Sequence, residues 1–419
     1  MTRNLFTLAV AFMLTLTLNA QSAAERYSNH SLLQSGKWVK IRVSDAGVYE
    51  LNKSKLQSMG FSDPSKVSLY GYNLPILPET YIEDISDDLT EIPLWRRSDG
   101  SLLFYSAGTV KWQRKNGALD FTHINNPYSN YIYYFVTDVN STPATMQKAS
   151  AEANDSRMVS FPDHSLIEAD EYSIISSGRT FFETYNYANG KKKTYKLETP
   201  GIVNGSTRLS IQFVASGTST STLTVTADDT TFVNITYRAL NDFEHGVLLS
   251  RNYTWNKGTN EMSNITLTHN YESNVSGHLD YIQVSYERAL DMKGNAYLAF
   301  QPMTYDANTF QLSGATEDTR IWKVTSPATT CEIAGTYSGG TYLAPVARDT
   351  QINQYVAVNV NASFPAPEVV GNIENQDLHA LKDIDFVIIV PANGVLTAQA
   401  QRLADAHTDK EGLRCVVVR

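Results

Sequence analysis

Residues Asp383–Arg419 read DIDFVIIVPANGVLTAQAQRLADAHTDKEGLRCVVVR. The run DIDFVIIVP is continuously apolar where a half-buried strand would alternate, as in a strand covered on both faces within a parallel sheet. Leu396, Ala400, Leu403, Ala404 and His407 then recur on one helical face, and Gly412 stops the helix. LRCVVV supplies a second buried strand. The unit is therefore strand–helix–strand, with the right-handed crossover that such units adopt. Two parallel strands and one helix cannot cover both faces of their own sheet. Further strands are expected to cover it, in polypeptide that this sequence does not contain.

The residues before it follow a different rule. KWVKIRV from Lys37 and VYELN from Val48 alternate as half-buried strands around the turn SDAG. SKLQSMGF predicts a short helix with Ser54 at its cap and Gly60 at its stop. KVSLYGYN, SLLFYSAG and YIYYFVTD are further strands. Residues 146–163, rich in Ala, Ser and charge, read as a linker or hairpin between two β domains. Alternation returns at Leu209, Ile211 and Phe213, at Leu223 and Val225, at Ile282, Val284 and Tyr286, and at Val356, Val358 and Val360. Many short strands with regular turn signals point to sandwich or jelly-roll architecture. FPAPEVVGN reads as a linker. The fold class is mainly β: two β-rich domains, 25–163 and 164–368, a linker at 369–382, and an incomplete α/β domain at 383–419.

The chain has 419 residues, a formal net charge of −9 and a pI near 5.4. That balance argues against a broad basic face for nucleic acid. Hydrophobic residues make up 42% and charged residues 18%, a globular composition. The start, MTRNLFTLAVAFMLTLTLNAQSAAE, has a basic residue, an apolar run and a small-residue exit. It predicts a secretory signal peptide over 1–24, cleaved after Ala20 or Ala24. The run is short of the ~20 apolar residues a membrane span needs, so the mature chain is expected outside the cytoplasm and not integral to the membrane.

Candidate chemistry is sparse. Cys331 and Cys415 both sit in strand contexts and read as buried thiols, not nucleophiles. The eight histidines, His30, His123, His164, His245, His269, His278, His379 and His407, show no metal-ligand spacing. Glu79, Glu83, Asp84, Asp87, Asp88 and Glu91 could supply oxygen ligands, but lack a Ca²⁺-loop pattern and read as a solvated acidic loop. YANGKKKTYK reads as an exposed hairpin tip and NPYSNYIYYF as cross-strand aromatic pairing. No catalytic, cofactor-binding or metal residue is assigned.

Several blocks together resemble one family. SGKWVKIRVSDAGVYELNKSKLQSMGF (35–61), KVSLYGYN, DGSLLFYSAGTVKWQ, FTHINNPYSNYIYYFVTD, SSGRTFFETY, LDYIQVSYERAL and LSGATEDTRIWKVTSPAT occur in the order found in PorU-like type IX secretion sortases. The closing segment resembles the opening of a gingipain-type cysteine peptidase domain. The resemblance implies an exported protein at the outer membrane of a Bacteroidetes-type bacterium. Its family cleaves C-terminal sorting signals of secreted cargo, through a caspase-like α/β domain and a Cys–His pair. Cargo and outer-membrane secretion components are the partners so implied. Neither Cys415 nor His407 matches the family's catalytic motif, so the chain alone is expected to be non-catalytic. The rival expectation is a self-sufficient surface binding or adhesion module built on the β-sandwich.

Overall fold

The structure is a computed structural model that describes residues 27–80 and 86–419. The expected signal peptide, along with Glu83 and Asp84, lies outside the described residues. Three β-built units are nested in one another, and a strand–helix–strand unit follows them.

The first unit is a two-layer sandwich. Strand Trp38–Val43 lies between Ile132–Thr137 and Glu368–Ile373, antiparallel to both. Ser68–Tyr70 and Glu91–Ile92 extend that sheet. The facing sheet is Ala46–Leu51, Leu102–Ala107 and Trp95–Arg96. Val39, Ile41 and Val43 alternate inward, meeting Leu51, Phe104 and Tyr134 in a closed core. The short helix Lys53–Ser58 packs Leu56 into it. Its cap is Asn52, whose side chain accepts from Lys55 N, and not Ser54 as the sequence suggested. Tyr134 is buried, and its hydroxyl lies 2.7 Å from Asn73 Oδ1 and 2.9 Å from Ser106 Oγ. Burial lifts its phenol far above the ordinary range. Both partners keep a second hydrogen bond, to Ala107 N and Gly108 N. Tyr134→Phe should therefore cost only about 1 kcal/mol in urea unfolding.

Residues 369–382, expected as a linker, begin instead with the edge strand of this first sheet. Pro365 and Pro367 both precede that strand, so neither interrupts its ladder. Val369 packs against the core, and Glu368 pairs with Arg42 at 2.6 and 2.9 Å.

Residues 146–163 are likewise not a free linker. Gln147–Ala149 pairs parallel with Cys331–Ile333, and Arg157–Met158 with Asn308–Leu312. Together with Thr319–Lys323, Tyr355–Asn359, Tyr297–Phe300 and Thr341–Val346 they form a second unit around Phe300, Phe310, Tyr342 and Tyr355. The block expected as one domain over 164–368 thus holds two cores, and the boundary at 163/164 falls inside a strand, Ser160–Glu168.

That strand opens the third unit, a β-sandwich inserted into the second. One sheet has the order Ser160–Glu168, Val275–Ala289, Ser206–Gly217, Val247–Asn256. Lys192–Glu198, Met262–Tyr271 and Ser221–Ala227 form the other layer. Phe213, Leu223, Val225, Tyr237, Leu267 and Ile282 fill the space between them. A side chain at Gly277 would come within 2.5 Å of the Phe213 ring and 2.8 Å of His269 Nδ1, so this close approach requires glycine. YANGKKKTYK is not a hairpin tip. Tyr187–Gly190 forms one helical turn anchored by buried Tyr187, Lys191 caps it at φ 54°, and strand Lys192–Glu198 follows.

A second apolar seam joins the first two units. Val48, Leu103 and Tyr105 leave one face of the first unit and meet Trp322, Val324, Val356, Val358 and Val360. Arg97 clamps the seam's edge: it is 3.2 Å from Glu50 and bonded to the carbonyls of Val360 and Ala362.

The terminal unit matches its sequence reading in form. Phe386–Ile389 and Cys415–Val418 pair parallel, joined by helix Thr397–Glu411, and Gly412 closes the helix at φ 71°. Ala400 and Ala404 are buried. The strands are not covered on both faces, however: Val387 is 52% and Ile389 81% exposed.

Candidate functional site

The terminal unit carries no assembled nucleophile and base among the described residues. Cys415 Sγ is 3.6 Å from the Leu413 carbonyl. His407 Nδ1 is 3.1 Å from Glu411, and its ring packs edge-on to Phe386. Each side chain is thus occupied by its own strand or helix, and a thiolate relay needs the two within hydrogen-bond reach. Cys331 is half-buried, and burial pushes its thiol up, away from reactivity.

The acidic stretch disperses. Glu79 pairs with Arg179 at 2.6 Å, Asp87 and Asp88 accept from the backbone N–H groups of Ser28 and Leu32, and Glu91 accepts from Ala144 N and Asn140. These carboxylates organise loops and do not converge. Within NPYSNYIYYF, Tyr134 is core, while Tyr131 and Tyr133 carry Arg42 and Lys40 over their rings, each at 4.0 Å. Tyr131, Tyr133, Phe135, Leu74, Leu77 and Leu89 line an apolar cavity of about 480 Å³.

Most histidines are structural. His269 is buried against Phe213 with Nε2 2.9 Å from Ser221 Oγ, and burial pushes its pKa down to about 4. His164 stacks on Trp112 at 3.5 Å and is depressed by burial to about 4 as well. His30 and His379 pair with Asp377 and Asp88.

His123 differs. It sits on strand Phe121–Asn125, half of a two-stranded hairpin with Val110–Arg114. The hairpin lies on the sandwich sheet: Gln283 Nε2 donates to the Phe121 carbonyl at 2.7 Å. That bond fixes the Gln283 amide, so its Oε1 faces His123 Nδ1 at 2.5 Å and requires a proton there. Nε2 then faces the Glu168 carboxylate at 3.2 Å, which favours a proton there too. Burial opposes charge on His123, but Glu168 with Gln283 and Asp280 outweighs it, and the pKa is raised.

Beyond His123, oxygen atoms of Glu168, Asp170 and Asp280 lie within 4.8 Å of one another. Glu168 ends the strand Ser160–Glu168 and is paired in register with Tyr281. Asp280 falls where the register between Val275–Ala289 and Ser206–Gly217 shifts by a residue, at a bulge. Asp170 accepts from Asn125 Nδ2 at 3.0 Å. Burial, with the repulsion of Glu168 and Asp170, raises the Asp280 carboxyl to about 7. Sequence reading missed this cluster because Asp280 lies about 110 residues beyond Glu168 and Asp170. The E-x-D pair at 168–170 is the one local signal, and such pairs are common in solvated loops.

No family model matches the chain, and no curated protein matches it. Among solved structures, dimeric latent PorU from Porphyromonas gingivalis is similar at TM-score 0.83 and 25% identity, over 96% of this chain. The match covers 39% of that protein, so the chain spans about two fifths of its length. Two carbohydrate-binding modules also align, each over 29% of this chain. One is the CBM36-1 domain of a multidomain xylanase from the hindgut metagenome of Trinervitermes trinervoides (12% identity, 96% of that chain, TM-score 0.21). The other is CBM36 in complex with calcium and xylotriose (13%, 98%, 0.20). Scores this low carry no argument. Fold and near-complete coverage together make this chain a mainly β, PorU-like protein.

Proposed function

We propose that the chain is the amino-terminal, non-catalytic part of a type IX secretion sortase. In this reading an exported protein at the outer-membrane surface uses its three β units to hold cargo, or secretion components, beside a gingipain-type cysteine peptidase domain. Residues 383–419 are the opening of that domain, and the exposed face bearing Val387 and Ile389 is where its sheet is covered. The single observation supporting the proposal most is the PorU likeness, which runs through both the β units and the terminal strand–helix–strand. Cys415 and His407 are each engaged within their own element. Among the described residues no helix is long and apolar enough to cross a membrane.

The test has two readouts. In-frame removal of the coding region for residues 27–419 from the source bacterium should leave cargo with its C-terminal signal uncleaved, read by mass spectrometry of surface and periplasmic fractions. The purified chain should neither cleave a C-terminal signal peptide nor take up an active-site thiol probe. Normal cargo processing in the deletion strain sinks the sortase reading and favours the adhesion module. Hydrolysis abolished by Cys415→Ala sinks the non-catalytic assignment.

A further inference from the structure

Asp280 poses a specific problem. It is only 8% exposed, and among the described residues no protein group hydrogen-bonds or ion-pairs with its carboxyl, whose oxygens keep a little contact with solvent. Buried carboxyls are ordinarily paired, hydrogen-bonded or bound to metal, because losing water without compensation is costly. Its immediate neighbours worsen the problem. Glu168 has a side chain 9% exposed, and its Oε2 has the His123 imidazole, at 3.2 Å, as its one partner among the described residues. Asp170, at the solvent edge, adds a third negative charge. Against three carboxyls stands one imidazole, and no lysine or arginine among the described residues pairs with any of them.

We propose that Glu168, Asp170 and Asp280 form a binding site for a hard divalent cation, Ca²⁺. The spacing admits a shared ion. Oxygen ligands of Ca²⁺ sit about 2.3–2.6 Å from the ion, so opposite ligands are about 4.6–5.2 Å apart. The three carboxyl oxygens lie within 4.8 Å of one another. The donors are all oxygens, which suits Ca²⁺ and disfavours Zn²⁺. His123 is turned to Gln283 and Glu168, so it orients a ligand and does not serve as one. Asn125 does the same for Asp170. Exposure on the Asp170 side leaves room for waters to complete the larger, flexible Ca²⁺ shell.

Both orienting residues come from the hairpin strand Phe121–Asn125, whereas the ligands belong to the inserted sandwich. A bound cation therefore adds a further tie between the hairpin and the sandwich, beside the bonds of Phe121 to Gln283 and Ser285. This inference stands independently of the sortase reading.

The experiment uses the purified full chain after EDTA treatment and dialysis. CaCl₂ is titrated by calorimetry, TbCl₃ is followed by luminescence sensitised through the adjacent Tyr281, and thermal unfolding is compared in EDTA, CaCl₂ and MgCl₂. Expected are one Ca²⁺ per chain, Tb³⁺ luminescence displaced by Ca²⁺, and a melting temperature raised by several degrees in CaCl₂ and less in MgCl₂. Asp280→Asn should abolish all three responses, yet melt in EDTA no lower than the parent, because it removes the unpaired carboxyl. Exposed Asp170→Asn, which leaves the buried groups in place, should weaken Ca²⁺ binding at least about tenfold. Absence of binding to the parent chain, or an unchanged response in both variants, overturns the site and leaves a carboxyl cluster that shares protons.

Discussion

Trp322→Ala will lower the unfolding free energy by about 3–5 kcal/mol, among the largest costs a single truncation of a buried aromatic produces. Trp322 is 0% exposed and stacks on Trp95 at 6.0 Å, inside the seam that joins the first two units. Val48, Leu103 and Tyr105 meet it from the first unit, and Val324, Val356 and Val358 flank it within the second. Strands on both sides hold their positions, so the seam collapses little around the lost indole, and a cavity adds to the lost transfer energy. The indole Nε1 has no hydrogen-bond partner, so Trp322→Phe should recover much of the loss. Calorimetry should show the first unit separating from the rest of the transition in the alanine variant. A change below about 1 kcal/mol would mean that the two units do not unfold together.

The second large effect depends on pH. An unfolded imidazole titrates near ~6.5, whereas His269 in the sandwich core titrates at about 4. Burial among Phe213, Tyr237 and Tyr271 is the main cause, and nearby Lys191 adds to it. A depressed pKa means that the unfolded chain takes up the proton first. Stability contributed by neutral His269 is therefore full above about pH 6.5 and is lost as pH falls toward 4. At about 1.4 kcal/mol per unit, the parent should lose about 2 kcal/mol between pH 7.5 and 5 that His269→Gln does not. Asp280, raised to about 7, acts with the opposite sign, since its contribution grows as pH falls below that value. It is common to both proteins and cancels in their difference. Equal pH dependence in parent and variant, by urea unfolding at the two pH values, would show that His269 is not held neutral by the core.

Burial patterns explain which parts of this fold could be read without coordinates. Leu102–Ala107 is nearly continuously buried, because Phe104 faces the first core while Leu103 and Tyr105 face the seam. DIDFVIIVP shows the same continuity, yet Ile389 is open to solvent. An apolar run records what a strand requires, and the partner that meets the requirement lies elsewhere. Residues 146–163 and 369–382 resemble linkers for the related reason that the partners of their strands, Cys331–Ile333, Asn308–Leu312 and Trp38–Val43, are remote in sequence. Composition there records only short, polar-edged segments, which suit a linker and an edge strand equally well.

The residues alone settled the local alternation, the turns, the mainly β class and the closing strand–helix–strand, because each depends on neighbours within a few positions. Tertiary structure decided the nesting of one unit inside another, the seam around Trp322 and the meeting of Glu168 with Asp280. Those features arise from pairing and burial between segments more than a hundred residues apart, and a one-dimensional pattern contains no term for such distances.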